Sequence, residues 1–144
     1  MGTWGVGSFE NDMALDWLFD FGENDFRLID RTLAGVAHLT DVDYLDVVEA
    51  SEALAAAECV AAAGGFPATN IPEDLQDWLD ENSPITLKPD YVVMARKATA
   101  RVQSHSELQE LWDDTDETEA WHTAVSDLLH RLSQIPTQTI DSPI

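Results

Sequence analysis

The run ALAAAECVAAA at residues 53–63 constrains the fold more than any other stretch of the chain. Alanine is the strongest helix former, and nothing breaks the run before Gly64 and Gly65, a pair suited to ending a helix. Wound as a helix, the stretch is apolar on every side, and Glu58 is its one charged interruption. A helix apolar all round is a buried helix. Its alanines let neighbours pack closely, which predicts a chain built from helices laid against one another.

The remaining segments follow helical spacing as well. Asn11 caps a first helix over about 11–20, with Ala14, Trp17, Leu18 and Phe21 on one face and Gly22 as its breaker. Asn24 caps a second over about 25–39, faced by Phe26, Ile29, Leu33 and Val36, and Gly35 inside it predicts a close helix crossing. Thr40 caps the third, which runs from about Asp41 to Ala63. Pro72 opens a short helix carrying Leu75, Trp78 and Leu79. Residues 82–89, with Pro84 and Pro89, read as a connector before a fifth helix over about 89–103. Ser106 and Gln109 match a capping box for a short helix ending at Trp112, a residue expected to be partly exposed beside the acidic turn 113–116. Trp121, Val125, Leu128 and Leu132 stripe a last helix over about 117–133. The fold class is therefore all-α, a compact bundle of six to seven helices with an irregular Gly/Trp-rich N-terminal segment. In that segment Trp4 and Phe9 are expected to be buried anchors, and Gly5 or Gly7 to take a positive φ. The expected domain covers 1–135, with 136–144 a flexible tail.

Charge narrows the function classes. Twenty-eight acids stand against seven bases, for a net charge of −21. Such a surface repels nucleic-acid phosphates and anionic lipid, so neither nucleic acid nor membrane is expected as a partner. No apolar run approaches the roughly 20 residues of a membrane span. The opening residues have no basic, apolar leader pattern, and a lone cysteine fits a reducing compartment, so a cytoplasmic location is expected. That residue, Cys59, reads as a small buried hydrophobe. Three explanations of the acidity stay open: a salt-rich cytoplasm, a basic partner protein, or mimicry of nucleic acid.

Bases are unevenly placed. Residues 91–106 contain no acid and hold Arg96, Lys97 and Arg101. Glu58, stranded among alanines, needs a partner if buried, and a guanidinium suits a carboxylate better than an ammonium does. The expected pair is Glu58 with Arg96, and Arg101 is second.

Motifs for chemistry are sparse. Glu119 with His122, and Asp127 with His130, have the spacing of a helical metal motif, but both lie on one helix where that chemistry needs several. No metal and no cofactor is expected. Cys59 has an acid beside it, the wrong sign for forming a thiolate, and Ser8 lacks the Gly-x-Ser-x-Gly elbow. No catalytic residue is assigned. Two function classes remain. The first is a small non-catalytic acidic interaction protein, an antidote-like or inhibitory partner of a basic protein. The second is an enzyme or small-ligand binder using the N-terminal Gly/Trp/Asp segment. The candidate binding residues are Trp4, Asn11, Asp12, Asp16, Glu58 and Arg96. A concave site lined by Asp12, Asp16 and Glu58 favours the second class, and a flat acidic face the first.

The opening MGTWGVGSFEND, followed by Ala14, Leu15, Asp16 and Trp17, resembles a bacterial family whose members begin MGxWGxGxFENDxAxDW. The likeness continues through residues 55–58, 95–98 and 106–112, and ends at Trp121 and residues 127–132. That family is catalogued as a domain of unknown function. The resemblance implies a small stand-alone bacterial protein and carries over no catalytic residue.

Overall fold

The computed structural model describes residues 7–40, 42–69, 71–82 and 87–136, and within these the side chains of all but residues 19–26. Trp4 and Gly5 lie outside the described residues, as does the stretch 137–144. The regular elements among the described residues are six helices: α1 (Asp12–Ala37), α2 (Val47–Ala63), α3 (Glu73–Asn82), α4 (Pro89–Ser104), α5 (Glu107–Asp113) and α6 (Thr118–Ser133). The bundle expected from the sequence is the one formed. No helix among the described residues is long and apolar enough to cross a membrane.

The alanine run forms the second half of α2, and residues 53–62 are all buried. Each of the other five helices packs against α2. Small side chains allow this, because an alanine helix is thin enough for several neighbours to approach. The helix ends in a Schellman motif. The Phe66 N–H donates to Ala61 O at 2.8 Å and the Gly65 N–H to Ala62 O at 3.1 Å. Gly65 has φ +97°, the left-handed value that the motif requires. Gly64 serves a different need. A Cβ there would lie 2.5 Å from Ile135 Cδ1, so glycine lets the chain beyond α6 seat on the end of α2.

Several expectations need correction. α1 spans both of the first two expected helices, including Gly22. It is nevertheless not a straight rod. The Trp17 indole N–H donates to Thr32 Oγ1 at 2.8 Å across fifteen residues. A straight helix would separate those positions by about 22 Å. The span therefore doubles back on itself between the two residues, and its two arms bury Trp17 and Leu18 on one side and Ile29, Leu33 and Val36 on the other. Gly35 is exposed, and an added Cβ meets nothing within 4 Å, so no helix crosses there. Phe9 is buried as expected, and the positive φ expected at Gly5 or Gly7 turns on residues 5 and 6, which lie outside the described residues. Trp112 is buried too, because α5 lays it against the core while the acidic turn stays outside.

The largest shift of a boundary is at α2, which begins at Val47 rather than near residue 41. Asp46 is the cap, accepting from the Glu49 N–H at 2.8 Å. Thr40 instead belongs to a turn. Its N–H and hydroxyl both donate to Asp43 Oδ2, at 2.8 and 3.1 Å. Arg101 clamps that turn from below, donating to Thr40 O, Asp43 O and His105 O. Ser106 caps α5 as expected, with the Gln109 N–H donating to Ser106 Oγ at 3.0 Å, but the Gln109 side chain turns to Asp113 and does not close the capping box.

Candidate functional site

Three elements meet over the middle of α2. Asn11 caps α1, accepting from the Ala14 N–H at 2.8 Å, and its amide donates to Ser8 O at 3.4 Å. The cap thus holds the turn 7–10 in place, and the Ser8 hydroxyl donates to Glu58 Oε2 at 2.9 Å. From α6, Arg131 reaches the same carboxylate as a two-pronged fork. Nη1 donates to Oε1 at 2.9 Å and Nη2 to Oε2 at 3.1 Å. Its Nε donates to Asp127 at 2.8 Å, one turn earlier on α6, and Nη1 also reaches Phe66 O at 3.2 Å.

Glu58 is therefore buried, 5% exposed, and its base is Arg131 rather than Arg96. Arg96 has another task. Its guanidinium donates to Leu132 O and Ile135 O, at 2.9 and 3.1 Å from Nη2. Leu132 O lies in the last turn of α6, where it also accepts from the Ile135 N–H at 3.2 Å, Ile135 O lies just beyond that turn, and a cation is favoured at that end of a helix. Arg101 is engaged with the 40–43 turn. Arg96 and Arg101 thus serve backbone carbonyls, and the carboxylate is answered from α6.

Burial tends to lower the pKa of the Arg131 guanidinium, but its bonds to Glu58 and then Asp127 outweigh that and raise it. The charge is permanent in either case. Burial, with Glu58 beside it, pushes the Cys59 thiol well above its ordinary range. It stays a protonated small hydrophobe in the core.

Over the pair lies a cleft of about 310 Å³. Ser8, Glu58 and Arg131 belong to its lining, with Glu10, Thr69 and Asp127 beside them. Of the candidate residues, the cleft takes Glu58. Asn11 is buried as the cap behind it, while Asp12 and Asp16 are exposed on α1 and lie outside the lining. Trp4 is outside the described residues. The three-carboxylate pocket of Asp12, Asp16 and Glu58 is thus not assembled. Residues missed from sequence are Ser8, Glu10 and Arg131. For Arg131 a signal existed: it follows Asp127 by four residues and flanks the buried stripe of Leu128 and Leu132.

Chemically the cleft is constrained by its own bonding. Glu58 accepts three hydrogen bonds, and Arg131 has donors committed to Glu58, Asp127 and Phe66. Within the lining Arg131 stands against three acids, Glu58, Asp127 and Glu10, so the net charge of the cleft is negative. The helical metal spacings do not converge either. His122 meets Asp113 at 3.1 Å, Asp127 holds Arg131, and no group of three potential metal ligands forms among the described residues.

Comparison with curated proteins and with solved structures finds no match. A family model does match, over residues 2–124, and by it the chain belongs to the family described as a domain of unknown function, DUF4259.

Proposed function

We propose that this protein is a non-catalytic acidic binding partner of a basic protein, covering the partner's cationic surface as an antidote or inhibitor does. The observation that carries the reading is how the fold sorts its charges. Of the seven bases, Arg96, Arg101 and Arg131 are turned onto backbone carbonyls and Glu58. Of the acids among the described residues, Glu58 alone is buried. The surface is therefore even more one-sided than the composition, and such a field accelerates encounter with a cationic partner while repelling polyanions. The reading has the protein work in a reducing cytoplasm, in keeping with its single, buried and free cysteine.

Affinity purification from the native cell in low salt, followed by mass spectrometry, tests this. A stoichiometric partner rich in Lys and Arg is expected, with an association rate that falls steeply as salt rises. A neutral or acidic partner, or a rate indifferent to salt, refutes the proposal. If the partner is a nucleic-acid-binding protein whose nucleic acid is displaced, the acidity acts by mimicry.

A second reading, binding of a small ligand, rests on the cleft above Glu58. Its volume sits at the lower end of the roughly 300–1,000 Å³ of ligand pockets, and its negative rim favours a small amine. A thermal-shift screen of amines and guanidinium compounds tests it. A stabilising ligand whose effect is lost in Glu10→Gln would support it, and no shift from any amine would remove it.

A further inference from the structure

Four large hydrophobic side chains are well exposed among the described residues, and three of them fall within seven positions: Val42 at 92%, Tyr44 at 67% and Val48 at 45%. Scattered exposed hydrophobes need no explanation, but a cluster does. This one stands on a turn that is held from several directions. Asp43 ties back to Thr40, and Arg101 grips Thr40 O and Asp43 O. The Val47 N–H donates to Glu107 at 2.8 Å, and the Glu107 N–H donates to Leu45 O at 2.9 Å. Leu45 between the exposed residues is buried, 1% exposed, and anchors the turn in the core. Val42 and Tyr44 thus stand exposed between anchored positions 40, 43 and 45.

Around them acids outnumber the base Arg101. Tyr44 sits in the field of Glu107, Glu110 and Asp46. Asp43, Tyr44 and Glu110 share a shallow hollow with Leu45, His105 and Ser106. Glu49 follows, exposed, on the first turn of α2. Arg101, the base beside this turn, lies under it with its donors on carbonyls.

We propose that the turn at Val42 and Tyr44, continued by Val48, is the docking face for the basic partner, and that the matching surface pairs an apolar anchor with Lys or Arg side chains. This rests on the function proposed above and deepens it. A rigid aromatic anchor ringed by charge is the arrangement that concentrates binding energy, because little ordering cost falls on the anchor. A second copy of this chain does not fit the face, since it would bring the same acids together.

Amide chemical-shift mapping in low salt tests the assignment with two probes: a short amphipathic peptide alternating lysine and leucine, and poly-lysine of equal charge. The amphipathic peptide is expected to perturb residues 42–48 and 107–110 most. Its affinity should fall about tenfold or more in Val42→Ser/Tyr44→Ser, while poly-lysine is little affected. Val42→Ser alone, at a side chain that contacts almost nothing, separates lost docking from lost folding, and its thermal midpoint should not move. Shifts spread evenly over the acidic surface, or wild-type affinity in both variants, overturn the docking face and leave the basic-partner reading standing. Failure of both probes to bind in low salt overturns both.

Discussion

Glu58 shows how much one charged residue decides when it stands in a buried helix. An isolated carboxylate in that setting would cost several kcal/mol, and the fork from Arg131 with the Ser8 hydroxyl answers it. Glu58→Ala strands a guanidinium, and Arg131→Ala strands a carboxylate. Each should destabilise by about 3–5 kcal/mol, with the double variant clearly less damaged than the sum. Glu58→Ala with Arg96→Ala should instead add within about 0.5 kcal/mol, because the two share no bond. Denaturant titration of the wild type, the three single variants and the two double variants checks both halves, and additive losses for Glu58 and Arg131 would dissolve the pair. That Glu58 is buried and needs a base was legible from the alanines around it. Which base it finds was not. The pairing depends on which faces of α4 and α6 meet α2, and the acid-free run 91–106 drew attention to arginines that serve helix and turn carbonyls.

At the scale of elements, caps were the legible features. Asn11 and Ser106 each start a helix, and Gly64 with Gly65 ends one, where local chemistry puts them. The start of α2 was misplaced because Thr40 and Asp46 are both good caps, and what selects Asp46 is tertiary. Glu107 takes the Val47 N–H, and Arg101 holds residues 40–43 in a turn. Gly35 was misread because a helical glycine signals either close packing or nothing, and here the space beside it is open. Opposite outcomes are expected at two glycines. Gly35→Ala should stabilise by about 0.5–1 kcal/mol, and Gly65→Ala should cost about 1–2 kcal/mol at its positive φ. Thermal melts that move the same way would contradict this. The turn itself carries a pH signature. Backbone and hydroxyl bonds from Thr40, then the charge of Arg101, hold the Asp43 carboxyl below its ordinary value of 3.8. A carboxyl whose pKa is lower in the folded than in the unfolded chain adds stability above the unfolded value, and that stability is lost as pH falls through the folded one. Asp43→Asn should therefore destabilise at neutral pH and cease to do so in strong acid. Its NMR titration midpoint should lie under 3.8, and a midpoint at or above it would exclude the Thr40 bonds in solution.

For the whole molecule the acidity admits a direct test, because a salt-adapted surface and a partner-binding surface respond differently to salt. With twenty-eight acids against seven bases the acids repel one another across the fold, and three of the arginines are engaged on Glu58 and backbone carbonyls. The helical core does not depend on salt. It is a continuous set of buried alanines, leucines, valines and tryptophans around α2. The chain is therefore expected to be folded at an ionic strength of about 0.01 M, where the screening length is about 30 Å. Its thermal midpoint should rise by a few degrees as sodium chloride approaches about 0.15 M, where that length is about 8 Å, and then level off. The pI near 4.1 supplies the control. At that pH the net charge vanishes, the repulsion with it, and the midpoint should no longer climb with salt. A midpoint that keeps climbing into molar salt, or a chain unfolded without it, would assign the acidity to a salt-rich cytoplasm and remove the main support for a basic partner. A plateau at modest salt leaves the charge free for recognition.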